Sequence, residues 1–120
     1  MKDSKETIHA NVTELLDMLK QGQFVEAQEK FFHDDVVLQE GNSEPKQGKE
    51  FCINQEKEVL AGVAEFIGYN ATGFAVTEGT SFYEATMEYV EKSGNHVKVE
   101  QSVVTNWEDG KIVRERFYHA

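Results

Sequence analysis

Basic residues are scarce in this chain, with 12 Lys and Arg against 22 Asp and Glu and a formal net charge of -10 at pH 7. No stretch gathers enough Lys or Arg to neutralise a phosphate backbone or an anionic headgroup layer, which excludes nucleic acid and anionic membrane as expected partners. The single cysteine, Cys52, cannot close an internal disulfide. It falls on the apolar side of a helical pattern, where a buried structural thiol is expected rather than a nucleophile. No apolar run is long enough for a signal peptide or a membrane span, so a soluble, cytoplasmic protein is expected. The one proline, Pro45, marks a loop, and neither tandem repeats nor low-complexity tracts break up the 120 residues. That length suits one domain spanning 1–120, large enough for a core and too short for two.

What is present is hydrophobic periodicity of two kinds. Ile8, Val12, Leu15, Leu16 and Leu19 recur at helical spacing, with Asp3 and Glu6 as a start signal and Gly22 as a stop. A second, shorter helix from about Gln23 turns Phe24, Ala27, Phe31 and Phe32 inward and ends near His33-Asp34-Asp35. A strand from Val36 to Glu40 follows. Cys52, Ile53, Val59 and Leu60 then form the stripe of a third helix between Gly48 and Gly62. From Ala64 the chain turns to Val, Thr, Phe and Tyr, in four long segments separated by turns at Glu78-Gly79, Ser93-Gly94-Asn95 and Glu108-Asp109-Gly110. Helices followed by such a meander predict an α+β domain with the helices on one face of a curved sheet, bent at Gly68 and Gly73.

Alternation assigns the faces. Tyr83, Ala85, Met87 and Tyr89 face the helices, and so do Val99, Gln101, Val103, Thr105 and Trp107 on the next strand. Phe82, Val90 and Val104 fall on the outer side. "WEDGK" suits either a three-residue loop pairing Trp107 with Lys111 or a two-residue Asp-Gly turn. We favour the first, which points Val113, Glu115 and Phe117 inward and Arg114 and Arg116 outward.

The order helix, helix, "FFHDDVVLQEG", helix, four-stranded meander, "WEDGKIVRERFY" resembles the nuclear transport factor 2-like superfamily, and its SnoaL-like branch in particular. That resemblance implies a cone-shaped barrel of curved antiparallel sheet covered by three N-terminal helices, a pocket between them, and a homodimer through the outer sheet face. Ketosteroid isomerases have this fold, and "HDDVVLQEGNSEPKQG" is similar to their segment with a proton-shuttling carboxylate at the end of the first strand, which puts Glu40 in that place. The resemblance fails elsewhere. Leu15 stands where those isomerases have a first-helix tyrosine and Val103 near where they have a late-strand acid, and neither donates a hydrogen bond. Steroid isomerisation is therefore disfavoured.

A different constellation remains. Glu40 and Glu115 are the candidate catalytic residues, because two carboxylates in one low-dielectric space resist ionising together and can divide the acid and base roles. Tyr83, Gln101, Val103, Thr105, Trp107, Phe117 and His119 are the candidate ligand contacts around them. Against this stands the plainer possibility that Glu40 is solvated at a strand end and Glu115 paired with a nearby cation. His33, Asp34 and Asp35 are consecutive and converge poorly on one ion, so no metal site is expected. The chemistry considered is isomerase, cyclase or hydratase action on an apolar, carbonyl-containing small molecule, with no metal or organic cofactor. The alternatives are a non-catalytic ligand carrier or sensor, or a dimeric interaction module of the same fold.

Overall fold

The computed structural model describes residues 2–119. Helix α1 (Lys5–Lys20) begins at Ser4, whose side-chain oxygen accepts the Thr7 amide at 3.2 Å, so the cap is Ser4 rather than the Asp3–Glu6 pair expected. Asp3 instead ties the N-terminal segment to two hairpin turns. Its carboxylate accepts the Gly110 N–H at 2.8 Å, and its carbonyl accepts that of Gly79 at 3.0 Å. Helix α2 (Phe24–Phe31) is shorter than expected because Phe32 is already extended and opens strand β1 (Phe32–Glu40). His33, Asp34 and Asp35 thus lie within that strand. A two-residue strand β2 (Lys46–Gln47), which hydrophobic pattern could not reveal, pairs back onto Val37 and Leu38. Helix α3 (Lys49–Ala61) runs between Gly48 and Gly62 as expected.

The remaining chain forms β3 (Val63–Thr77), β4 (Thr80–Glu91), β5 (His96–Glu108) and β6 (Lys111–Tyr118). These are the four segments of the antiparallel meander. The six strands make one sheet in the order β2-β1-β6-β5-β4-β3. Two details of the expected barrel change: β1 lies parallel to β6, making the sheet mixed, and the sheet curves without closing. The α+β class stands. Pairing between β3 and β4 slips between Phe66 and Gly68 and again between Ala71 and Gly73, so bulges fall where the two glycines predict bends.

The last hairpin corrects the expected register. Glu108 pairs with Lys111 across a two-residue Asp109-Gly110 loop, with φ of 52° and 77°. Two successive left-handed residues make a type I′ turn, whose twist matches that of the flanking strands. Such a turn alone would have turned Glu115 outward. A bulge restores the parity: Trp107 pairs with Ile112 but Asn106 with Arg114, leaving Val113 as the extra residue. Ile112 therefore takes the inward place expected for Val113, while Glu115 pairs with Thr105 and Phe117 with Val103, both facing the helices.

Two apolar clusters hold helices to sheet. One joins Ile8, Val12 and Phe31 to Trp107 and Ile112, with the Phe31 and Trp107 rings edge to face at 5.7 Å. The other joins Phe24 to Tyr69, Tyr83, Ala85 and Val103. Trp107 is 1% exposed and satisfies its indole by donating to Ser81 Oγ at 2.9 Å. Among the described residues no helix is long and apolar enough to cross a membrane.

Candidate functional site

The space between the two clusters is not filled. A cavity of about 240 Å³ lies between the inner faces of α1–α3 and the concave side of the sheet. Leu15, Leu19 and Phe24 wall it from the first two helices, and Leu38, Met87, Ile112 and Phe117 from the strands. Into this apolar lining project the carboxylates of Glu40, Glu56 and Glu115, the phenols of Tyr69 and Tyr83, the amides of Gln28 and Gln101, and one cation, Lys46.

Glu115 is the most deeply placed of the acids, at 6% exposure. Thr105 Oγ1 donates to its Oε2 at 3.1 Å, the polar contact that the register of β5 and β6 supplies. Burial pushes its carboxyl up to about 7; the Thr105 hydrogen bond works against that rise, and the negative charges of Glu40 and Glu56 add to it. Glu56, on the inward side of α3, is raised by burial and by Glu40, with Lys46 pulling the other way. Glu40 ends β1 at the exposed rim, where its Oε2 lies 3.1 Å from Nε2 of His119.

Opposite the acids stand hydrogen-bond donors. Tyr69 Oη donates to Tyr83 Oη at 3.5 Å, and Gln101 Nε2 donates to Tyr69 Oη at 3.5 Å, both at the outer limit of a hydrogen bond. Burial raises the pKa of both phenols, and the Glu115 charge raises them further. They remain neutral donors across the physiological range. Gln28 Oε1 is buried with no hydrogen-bond partner, an acceptor left available at the lining. Cys52 also reaches the cavity; burial lifts its thiol, Lys46 lowers it and Glu115 raises it, which keeps the sulfur protonated.

Of the residues singled out in the sequence, the fold brings Glu40, Glu115, Tyr83, Gln101 and Phe117 to one cavity. Thr105 stands behind Glu115 as its hydrogen-bond donor. Val103 and Trp107 lie in the packed core outside the lining, and His119 sits at the rim on Glu40. Five polar members of the lining are not among the residues singled out in the sequence: Gln28, Lys46, Gln55, Glu56 and Tyr69. Tyr69 follows Gly68, and the bulge there obscures strand parity; Gln28 sits on a helix whose apolar stripe gives no sign of a polar inward position. A signal existed for Glu56, since it lies four residues after Cys52 on the same helical face. His33 Nδ1 accepts the Asp35 amide at 3.0 Å, a local backbone contact. Among the described residues no group of three or more His, Cys, Asp and Glu is arranged to hold a metal ion.

No protein-family model matches the chain, and no curated protein matches it significantly. Solved structures do match. A candidate SnoaL-like polyketide cyclase from Mesorhizobium loti superposes with a TM-score of 0.78 at 25% identity, covering 93% of this chain and 98% of that one. An NTF2-like protein of unknown function from Burkholderia pseudomallei superposes at 0.80 with 14% identity, covering 95% and 91%. A de novo designed protein with a curved β-sheet superposes at 0.71 with 24% identity, covering 98% and 88%. The sequence resemblance and these likenesses agree that the fold is that of the nuclear transport factor 2-like superfamily, with SnoaL-like proteins among its solved neighbours.

Proposed function

We propose that the cavity binds a small, largely apolar molecule carrying a carbonyl group and that Glu115 moves a proton on it, as an isomerase or cyclase would. The observation that carries this reading is the placement of Glu115: a carboxyl buried in an apolar cavity, pushed up to about 7, with neutral phenol and amide donors in the same space. A group with a pKa near the working pH is well suited to proton transfer in either direction.

The step balances without a cofactor. The Glu115 carboxylate takes a proton from the carbon beside the carbonyl, and the electron pair of that C–H bond moves to give an enolate. Tyr69 Oη and Gln101 Nε2 are the donors offered to the enolate oxygen; their mutual contact is long and readily exchanged for a shorter bond to ligand. Returning the proton to a different carbon completes an isomerisation. Attack of the enolate carbon on a second carbonyl of the same molecule, with the proton passed to the new alkoxide, completes a cyclisation. In this reading Glu115, not Glu40, holds the proton, and Glu40 acts from the rim by opposing ionisation of Glu115. The candidate cyclase from Mesorhizobium loti supports the reaction class by likeness. We also propose a cytoplasmic homodimer joined through the outer sheet face, where Phe82 is 40% exposed.

The test needs no natural substrate. Methyl ketones in D₂O, with deuterium uptake at the α-carbon followed by NMR, report proton abstraction directly. Uptake should rise with pH through about 7 and then level off, and Glu115→Gln should slow it at least 100-fold, the low end for a general base. Equal uptake by wild type and E115Q would remove Glu115 from the mechanism. Ketone binding with no catalysed uptake would favour a carrier over an enzyme.

A further inference from the structure

A second hollow adjoins the first. It measures about 100 Å³ and lies where the α1–α2 turn and the end of α3 meet β3 and β4. Phe24, Glu56, Val59 and Met87 line both spaces, so the two share a wall there. Beyond that shared wall the second space is bounded by Gly22, Leu60, Val63, Phe66 and Tyr89, with no charged side chain among them. Its wall is closely built. A Cβ on Gly22 would stand 3.2 Å from the Phe66 ring, and that ring meets Phe24 edge to face at 5.5 Å.

The division of chemistry is uneven. Tyr69, Gln101 and Glu115 all belong to the larger space, and none lines the smaller one. Glu56 marks the boundary. Three carboxylates against one lysine also make the larger space a poor host for an anion. We propose that the ligand is an elongated neutral amphiphile whose carbonyl end lies in the larger space and whose unbranched apolar tail passes Glu56 into the smaller one, and that a fatty acid of the same length is rejected. The inference rests on the carbonyl reading above and adds a tail site and a selection against carboxylate ligands.

A series of straight-chain methyl ketones, titrated calorimetrically against the full chain, tests it. Short members occupy the larger space alone. With further lengthening, affinity should climb about threefold to fourfold per methylene while the tail enters the smaller space, then level off once that space is full. Val63→Phe, which narrows the smaller space, should move the plateau to shorter ketones and leave the affinity of the shortest unchanged. Leu60→Ala, which widens it, should move the plateau to longer ones, so the prediction does not depend on one variant folding. At pH 8 the fatty acid matching the best ketone should bind at least tenfold more weakly. Short ketones that bind without any gain from length, or plateaus unmoved in both variants, would overturn the tail site and leave the carbonyl reading standing. A fatty acid that binds as well as its ketone would overturn the selection against anions. If no ketone binds, the carbonyl reading and the tail site fall together.

Discussion

Glu115→Gln should make the protein more stable, and the gain should depend on pH in a way only the native carboxyl explains. In the folded chain this group titrates at about 7, against an ordinary value of 4.5. Below 4.5 it is protonated whether the chain is folded or not, so it costs nothing there. Between those values the folded state holds the proton more tightly than the unfolded state. Stability contributed by the neutral acid is therefore lost as pH rises, and the loss is complete above about 7. A gap of roughly 2.5 pH units at 1.36 kcal/mol each amounts to about 3 kcal/mol, a substantial share of the 5–15 kcal/mol typical of a domain. Glutamine keeps the shape and can still accept from Thr105 Oγ1, but it has no charge to desolvate. Urea denaturation of both proteins at pH 5, 6, 7 and 8 measures the difference. E115Q should exceed wild type by only about 1 kcal/mol at pH 5 and by about 3 kcal/mol at pH 8, the latter a shift in Tm of roughly 10 °C. A difference that stays constant with pH would refute the reasoning, since it would mean that the carboxyl is hydrated in the native state. A native residue whose removal stabilises the fold is the usual sign of a side chain kept for work.

Other substitutions test the neighbouring contacts. Tyr69→Phe removes one of the donors proposed for the ligand oxygen and should slow ketone deuteration about 100-fold with the fold intact by circular dichroism. Trp107→Phe leaves Ser81 Oγ without its indole donor in the core and should cost about 1–3 kcal/mol in denaturant titration. Asp3→Ala frees the Gly110 N–H and should cost about 1 kcal/mol, with amide exchange at Gly110 faster than in wild type. Phe82→Glu places a charge on the proposed dimer face and should give a monomer in analytical ultracentrifugation at concentrations where wild type is a dimer.

The parts of the fold readable in the sequence are those where a local signal and a tertiary requirement coincide. Helix α3 stops at Gly62 and β3 bends at Gly68 and Gly73 because glycine there serves both the backbone and the sheet. The parallel pairing of β1 with β6 has no local signature, since it joins segments some eighty residues apart and is decided by how α2 delivers Phe32 to the sheet. The site was legible to the same extent. Strand alternation found Tyr83 and Gln101 because β4 and β5 pair without interruption, and it missed Tyr69 because β3 does not. Glu115 is the instructive case. Its inward position was inferred from a three-residue loop, whereas the chain makes a two-residue turn and inserts Val113 to compensate. Either device alone would have exchanged the arginines for the glutamate in the cavity. The turn satisfies the strand twist locally, but the bulge does not follow from any glycine or proline nearby. The turn sets Ile112 against Trp107, and the bulge then seats a carboxyl behind Thr105, so turn and bulge between them meet a need of the core and of the cavity. Deleting Val113 should therefore turn Glu115 to solvent and bring its titration back toward that of an exposed glutamate, measurable by carboxyl carbon NMR. If the deletion variant folds and still titrates near 7, the bulge is not what places the acid.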